Sequence, residues 1–365
     1  MIRLYSANGK PINRLSSFVR WADKERVVRY MQPKSDIMPS HPYRTWPAIL
    51  SLYLLSPLIA ETIATSNTPP LAYLEPGKAF FLPAFYGSAA VLLHEIMKRK
   101  LLGWPSFLLM AGAFGIVNEA VIAGTWYTVK PQGYVFIDGI DWGWAASLTA
   151  FHIVFSMAIP IVLVQAMYPR VAQQPWLGKK GFRAFGTLFL LTSSLGLILR
   201  TYHNQRLLFL ILAIVLTGIA PLLPIRISGS IQNRSTQKPS SPKLWMLRIL
   251  GFGGTIGFFL LIYLLPAIFY PPPLVMFLYM GIFVFGATIL FRSLQRYANW
   301  GPLQIFAILT GVGICDLLLS FLRWQAGQPI IVALSLLGLL ILSRRARRQA
   351  MIPVTSNPIT IATEG

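Results

Sequence analysis

Ten apolar stretches run through this 365-residue chain, and its basic side chains crowd into every second gap between them. A hydrocarbon core of about 30 Å takes about 20 apolar residues per helical crossing. No water inside it can satisfy backbone N–H and C=O groups, so each crossing must bond its own backbone; a helix does this and an open loop does not. The expected fold is all-α, a polytopic transmembrane helical bundle of about 10 spans with both termini cytoplasmic. The spans are read at 45–65, 80–97, 104–127, 143–168, 181–199, 206–225, 246–270, 273–291, 302–322 and 326–343. Pro271, Pro272 and Pro273 part the seventh from the eighth, because proline has no N–H with which to continue a helix.

Composition excludes a water-soluble globule. Charged residues make up 12% of the chain, where a typical soluble domain has about 25%. The mean hydropathy is +0.59. A net charge of +21 would suit nucleic acid if it were gathered on one face, but it is scattered over short loops, as in membrane proteins. The expected partners are therefore the lipid bilayer and anionic headgroups met by the basic loops, with no nucleic acid; protein partners are not legible. Cys315 is the single cysteine, so no internal disulfide forms. The first 44 residues are polar and basic, without a cleavage pattern, so the first apolar run is expected to stay in the membrane as a signal anchor.

Orientation follows from the basic residues. Of the 32 Lys and Arg, 27 lie in the two tails and in the gaps 98–103, 169–183, 226–248 and 292–301. The other gaps hold 5: Lys78, Lys130, Arg200, Arg206 and Arg323. Positive loops stay inside, which puts both tails in the cytoplasm. The chain then divides into a basic N-terminal segment (1–44), spans one to six (45–225), a cytoplasmic loop (226–245), spans seven to ten (246–343) and a tail (344–365). Residues 11–31 carry a partial apolar stripe between basic residues, which suits either a helix lying on anionic lipid or a solvated tail. The 228–243 stretch reads as a flexible loop. The aromatic 129–142 loop, with Asp138 and Asp141, is expected to fold over the outer face.

Ionisable side chains inside a span are costly and usually face the bundle interior. The chain offers Glu61, His94, Glu95, Glu119, His152 and Asp316. At 1.5 Å per residue, Glu119 on the third span and His152 on the fourth both lie about 12–13 Å below the outer end. These spans are consecutive and joined by a short loop, so they are expected neighbours. A carboxylate and an imidazole at one depth can share a hydrogen bond, each favouring the charged form of the other. Ala111, Gly112, Ala113 and Gly115 would let the helices approach, and Ser156 lies one turn beyond His152. Asn118, turned about 100° from Glu119 on an ideal helix, is left out of the site. Glu61 and Asp316 lie nearer the outer end, about 6 and 9 Å deep. Glu119 and His152 are thus the candidate catalytic residues, and Glu61, Glu119, His152 and Asp316 the candidate substrate- or proton-binding set. The competing reading is a buried pair that only holds helix register. His94 and Glu95, at the cytoplasmic end, are expected to pair with Lys98 and Arg99.

The segments SPLIAET (56–62), LLHEIMKRK (92–100), GWPSFLLMAGAFGIVNEA (103–120) and FHIVFSMAIPI (151–161) resemble an uncharacterised family of bacterial multi-spanning membrane proteins. The resemblance implies a bacterial plasma membrane location and no known activity. A fainter resemblance is to CAAX-type intramembrane proteases, which pair a Glu-Glu-x-x-x-Arg motif with histidines on later helices. Here Asn118-Glu119 is followed by no arginine, and only His152 follows within the spans. A metal site takes three or four ligands, so Glu61 or Asp316 would have to join the pair; whether a metal or other cofactor is used stays open.

Three functions compete. A transporter or permease would use the intramembrane acids for protons or a cationic substrate, with Pro57, Pro83, Pro160, Pro221 and Pro266 breaking its helices. An intramembrane hydrolase would centre on Glu119 and His152. A scaffold would carry no chemistry. The GFGGTIG run at 251–257 sits inside a span, where helix packing explains it better than nucleotide binding.

Overall fold

The structure is a computed structural model that describes residues 44–64, 69–128, 136–199, 205–223, 240–297, 300–323 and 327–350. The expected features at 11–31 and most of those at 228–243 and in the C-terminal tail lie outside the described residues. Ten helices are long and apolar enough to cross a membrane: α1 (Trp46–Ala64), α2 (Pro76–Arg99), α3 (Trp104–Ala123), α4 (Trp142–Met167), α5 (Lys179–Ile198), α6 (Gln205–Leu222), α7 (Leu244–Leu264), α8 (Pro273–Leu294), α9 (Pro302–Leu322) and α10 (Gln328–Arg348). Each overlaps an expected span, because the bilayer dictates the length of every apolar run. The helical backbone of α7 continues to Phe269, ends on Tyr270 in the left-handed region, and α8 starts at Pro273. Helix α10 runs past its expected end at 343, and its last turns carry Arg344, Arg345, Arg347 and Arg348. Cations there complement the helix dipole.

Five stretches abandon the α-helical ladder for wider i→i+5 turns: Leu58–Ala64, Pro83–Gly87, Val117–Ala123, His152–Ala158 and Leu260–Leu264. Four of them have a proline within two residues: Pro57 precedes one, Pro83 opens one, and Pro160 and Pro266 follow one each. A proline removes one ladder bond and its ring displaces a carbonyl of the preceding turn, so the helix relaxes by taking in an extra residue. The fifth proline, Pro221, sits in the tight turn Ala220–Leu222.

Helices α1–α4 form the inner part, filled by Leu52, Phe85, Phe114, Phe151 and Phe155. In α3, 78% of the most apolar stretch is buried, against 6% in α10. Large apolar side chains such as Leu190, Ile198, Ile282 and Leu322 point outward. In water this coat would be an aggregation liability; in a bilayer it is the ordinary lipid-facing surface. Helices α7 and α9 lie backbone to backbone, because a Cβ on Gly251 would strike the Ile308 carbonyl and one on Gly311 that of Arg248.

Between α3 and α4 a small hairpin, β1 (Phe136–Ile137) and β2 (Ile140–Asp141), turns on Asp138 and Gly139. Both turn residues have positive φ, 51° and 77°. Asp-Gly is the pair best suited to that turn. Asp141 then caps α4, its carboxylate accepting the Trp144 N–H at 2.9 Å.

Candidate functional site

Glu119 and His152 lie on the wide turns of α3 and α4. Gly115, one turn before Glu119, lets the helices close up: a Cβ there would sit 3.2 Å from the His152 Cβ and 3.3 Å from the Thr149 Cα. The imidazole Nε2 lies 2.7 Å from Glu119 Oε1, and Nδ1 lies 2.7 Å from Ser156 Oγ. His152 is thus held between a carboxylate and a hydroxyl, with Ser156 itself wholly buried.

Asn118 belongs to the site, which corrects the expectation that it points away. Its amide nitrogen donates to the Tyr86 hydroxyl at 2.7 Å and to Glu119 Oε1 at 2.9 Å, and lies 3.0 Å from His152 Nε2. The expectation assumed the 100° step of a straight α-helix; a wide turn steps by less, and the short amide reaches back to its neighbour. Tyr86 in turn donates to Glu61 Oε1. Thr125 donates to Glu119 Oε2, and Ser56 donates to the Ser156 carbonyl at 2.8 Å. The connected groups Ser156, His152, Glu119, Asn118, Tyr86 and Glu61 come from four helices, and each stands on a wide turn.

The hydrogens can be assigned by counting donors. The two amide hydrogens of Asn118 go to Tyr86 and Glu119, Nε2–H goes to Glu119 Oε1, and the Ser156 hydroxyl goes to Nδ1. A doubly protonated imidazole also fits, because Ser156 can then accept from Nδ1. From that doubly protonated imidazole, the Nε2 proton can pass to Oε1, leaving a neutral imidazole with Nδ1–H and exchanging donor and acceptor in that bond. Glu119 is 7% exposed and His152 2% exposed. At that burial a lone charge on either residue would be strongly disfavoured, so each depends on the other.

Above Glu119, α3 ends on Gly124 with φ 69°, which turns the chain so that Thr125 reaches back to the carboxylate. The buried Arg206 guanidinium packs on Gly124 and lies 5.9 Å from the Tyr127 ring centre. Burial pushes the Tyr127 phenol up to about 12, with Arg206 opposing the shift. Sequence reasoning missed Tyr86, Thr125, Ser56 and Arg206. Tyr86 alone had a signal, a polar tip three residues after an in-span proline.

Asp316 is buried on α9 and lines a cavity of about 210 Å³ with Ile59, Ile63, Leu163 and Ser335. The chain from Ser156 to Glu61 runs through α1–α4. Among the described residues, no group of three or more His, Cys, Asp or Glu is placed to hold a metal ion.

At the other end of α2, Glu95 pairs with Arg99 as expected and also accepts the N–H groups of Trp176 and Leu177 at 2.7 and 3.1 Å. His94 instead stacks on Trp176, with ring centres 3.6 Å apart, and Lys98 bonds Gln173. The ion pair at this end is thus made by Glu95 and Arg99, while His94 is held by aromatic stacking. This cluster pins the segment after α4 and has the character of a structural latch.

Comparison with known proteins adds the family. No curated protein and no solved structure matches the chain. Residues 50–293 match the family model of an uncharacterised membrane protein family, a stretch that holds every member of the Ser156–Glu61 network but not Asp316. With its ten apolar helices, the chain belongs to this family of multi-pass membrane proteins.

Proposed function

We propose that the protein is a proton-coupled carrier of the bacterial plasma membrane, with Glu119 and His152 as its proton-holding pair. The observation that carries this reading is the buried hydrogen-bonded chain Ser156–His152–Glu119–Asn118–Tyr86–Glu61. It holds two proton-binding places, Glu119 with His152 and Glu61 with Tyr86. Asn118 ties them together; an amide passes no proton easily, so the link is one of position. A change of protonation at one place alters which bonds Asn118 can make at the other. Intramembrane acids and histidines of this kind mark ion pathways and proton relays. Broken helices are where carriers place their sites, and every group named stands on a break.

The distribution of basic residues, 27 against 5, supports cytoplasmic termini and contact of the basic loops with anionic headgroups. It likewise supports reading 1–44, 226–245 and 344–365 as cytoplasmic segments around two membrane parts, 45–225 and 246–343.

The test is a pH step applied to the protein reconstituted on a solid-supported membrane. Wild type should give a transient charge displacement that Glu119→Gln abolishes, with both proteins eluting as the same species in detergent. An unchanged transient in both Glu119→Gln and His152→Gln would overturn the reading. A hydrolase has one observation in its favour, the order Ser156, His152, Glu119, which resembles nucleophile, base and acid. Ser156 is wholly buried and lines neither the 240 Å³ cavity nor the 210 Å³ one. Fluorophosphonate labelling of Ser156 would favour the hydrolase; its absence, together with a Glu119-dependent transient, supports the carrier.

A further inference from the structure

A cavity of about 240 Å³ lies among α3, α4, α7, α8 and α9, and neither Glu119 nor His152 lines it. Its walls are almost wholly apolar, with Trp104, Phe107, Phe258 and Phe283 among them. The two hydroxyls on its walls are already satisfied by their own helices: Thr255 bonds the Gly251 carbonyl at 2.9 Å and Thr288 the Val284 carbonyl at 2.8 Å. A water needs two to four polar partners to settle in a cavity, and these walls offer it few. Gly254 lines the space, and a Cβ there would meet nothing within 4 Å. Gly254 is exposed, so the cavity opens sideways to acyl chains.

Charge marks one end of it. On α7, Arg248 stands one turn before Gly251, on the same stripe as Thr255 and Phe258. Its Nε is buried and makes no hydrogen bond. On α8, Arg292 stands one turn beyond Thr288, in the last turn of the helix. Trp104, at the start of α3, lies on the same basic side, and tryptophan favours the headgroup level. The geometry points to a bound anionic phospholipid, one acyl chain in the cavity and its phosphate against Arg248 and Arg292.

Native mass spectrometry of the full chain, after incubation with phosphatidylglycerol or phosphatidylcholine, tests this. Wild type should retain phosphatidylglycerol in preference. Gly254→Leu, which fills the cavity, should lose the adduct. Gly253→Leu is its control: that Cβ also meets nothing within 4 Å, but Gly253 does not line the cavity, so the adduct should remain. Arg248→Gln should cut phosphatidylglycerol retention about fivefold, the effect of about 1 kcal/mol per arginine near an anionic surface. Equal retention of the two lipids by wild type, an adduct surviving Gly254→Leu, loss in Gly253→Leu as well, or a preference untouched by Arg248→Gln would each overturn the proposal.

Discussion

Helices α1–α4 and the α7–α9 pair solve one problem in opposite ways. Lipid is as apolar as the helix faces it touches, so no hydrophobic force drives helices together within a bilayer; close packing and interhelical hydrogen bonds must do it. The first group uses polar links: Glu61 to Tyr86, Tyr86 to Asn118, Glu119 to His152, and Ser56 to the Ser156 carbonyl. The pair uses absence: Gly251 and Gly311 remove side chains so that backbones touch. Polar links are directional and titratable, so the region they hold can respond to protons. Glycine contacts have no such handle and make a fixed support. The α1–α4 group also contains four of the five wide turns, the α7–α9 pair one. The polar network and the loosened helix geometry thus coincide in α1–α4.

The comparison breaks most readily at His152. His152→Ala strands the Glu119 carboxylate in a buried site and should cost about 3–5 kcal/mol. Unfolding in mixed detergent–SDS micelles, followed by tryptophan fluorescence, would measure it. Adding Glu119→Gln to that variant should recover part of the loss, since the two residues act as one unit. Strict additivity would show that the pair is not coupled. Next comes Gly311→Val, whose Cβ runs into the Arg248 carbonyl. Overpacking of this kind costs about 1–3 kcal/mol, and here the loss should not change between pH 5 and pH 8, because no titratable group is involved. A pH-dependent loss would erase the contrast between the two regions. The smallest effect is expected from Tyr86→Phe, which keeps the ring and removes the hydroxyl between Asn118 and Glu61. About 1–3 kcal/mol is the cost of leaving buried partners unmatched, and water reaching half-buried Glu61 should hold it near the lower end. The sharper readout is the charge transient of the reconstituted protein, which should persist with a shifted pH dependence. A wild-type pH dependence in Tyr86→Phe would separate Glu61 from the pair.

Much of the candidate site was legible residue by residue, and its assembly was not. Glu61, Glu119 and His152 stood out because a carboxylate or imidazole in an apolar run is costly wherever it lands. Gly115 stood out because small residues beside such a group imply close approach. Tyr86 and Thr125 did not, since an uncharged phenol or hydroxyl is common in membrane helices. Asn118 was set aside by an angle that holds only for an unbroken α-helix. The prolines announced that helices would be irregular, but not that the irregularity would turn Glu61, Tyr86 and His152 toward one point.

The order and length of apolar runs alone determined the ten helices that, among the described residues, are long and apolar enough to cross a membrane, because each answers to the bilayer and not to its neighbours. Which crossings touch was decided only by tertiary packing. Lipid distinguishes little between one apolar face and another, so partner choice rests on a few glycines and hydrogen bonds. The hydrogen-bonding groups stand on the wide turns of α1–α4, and only the packed structure shows which of them face one another.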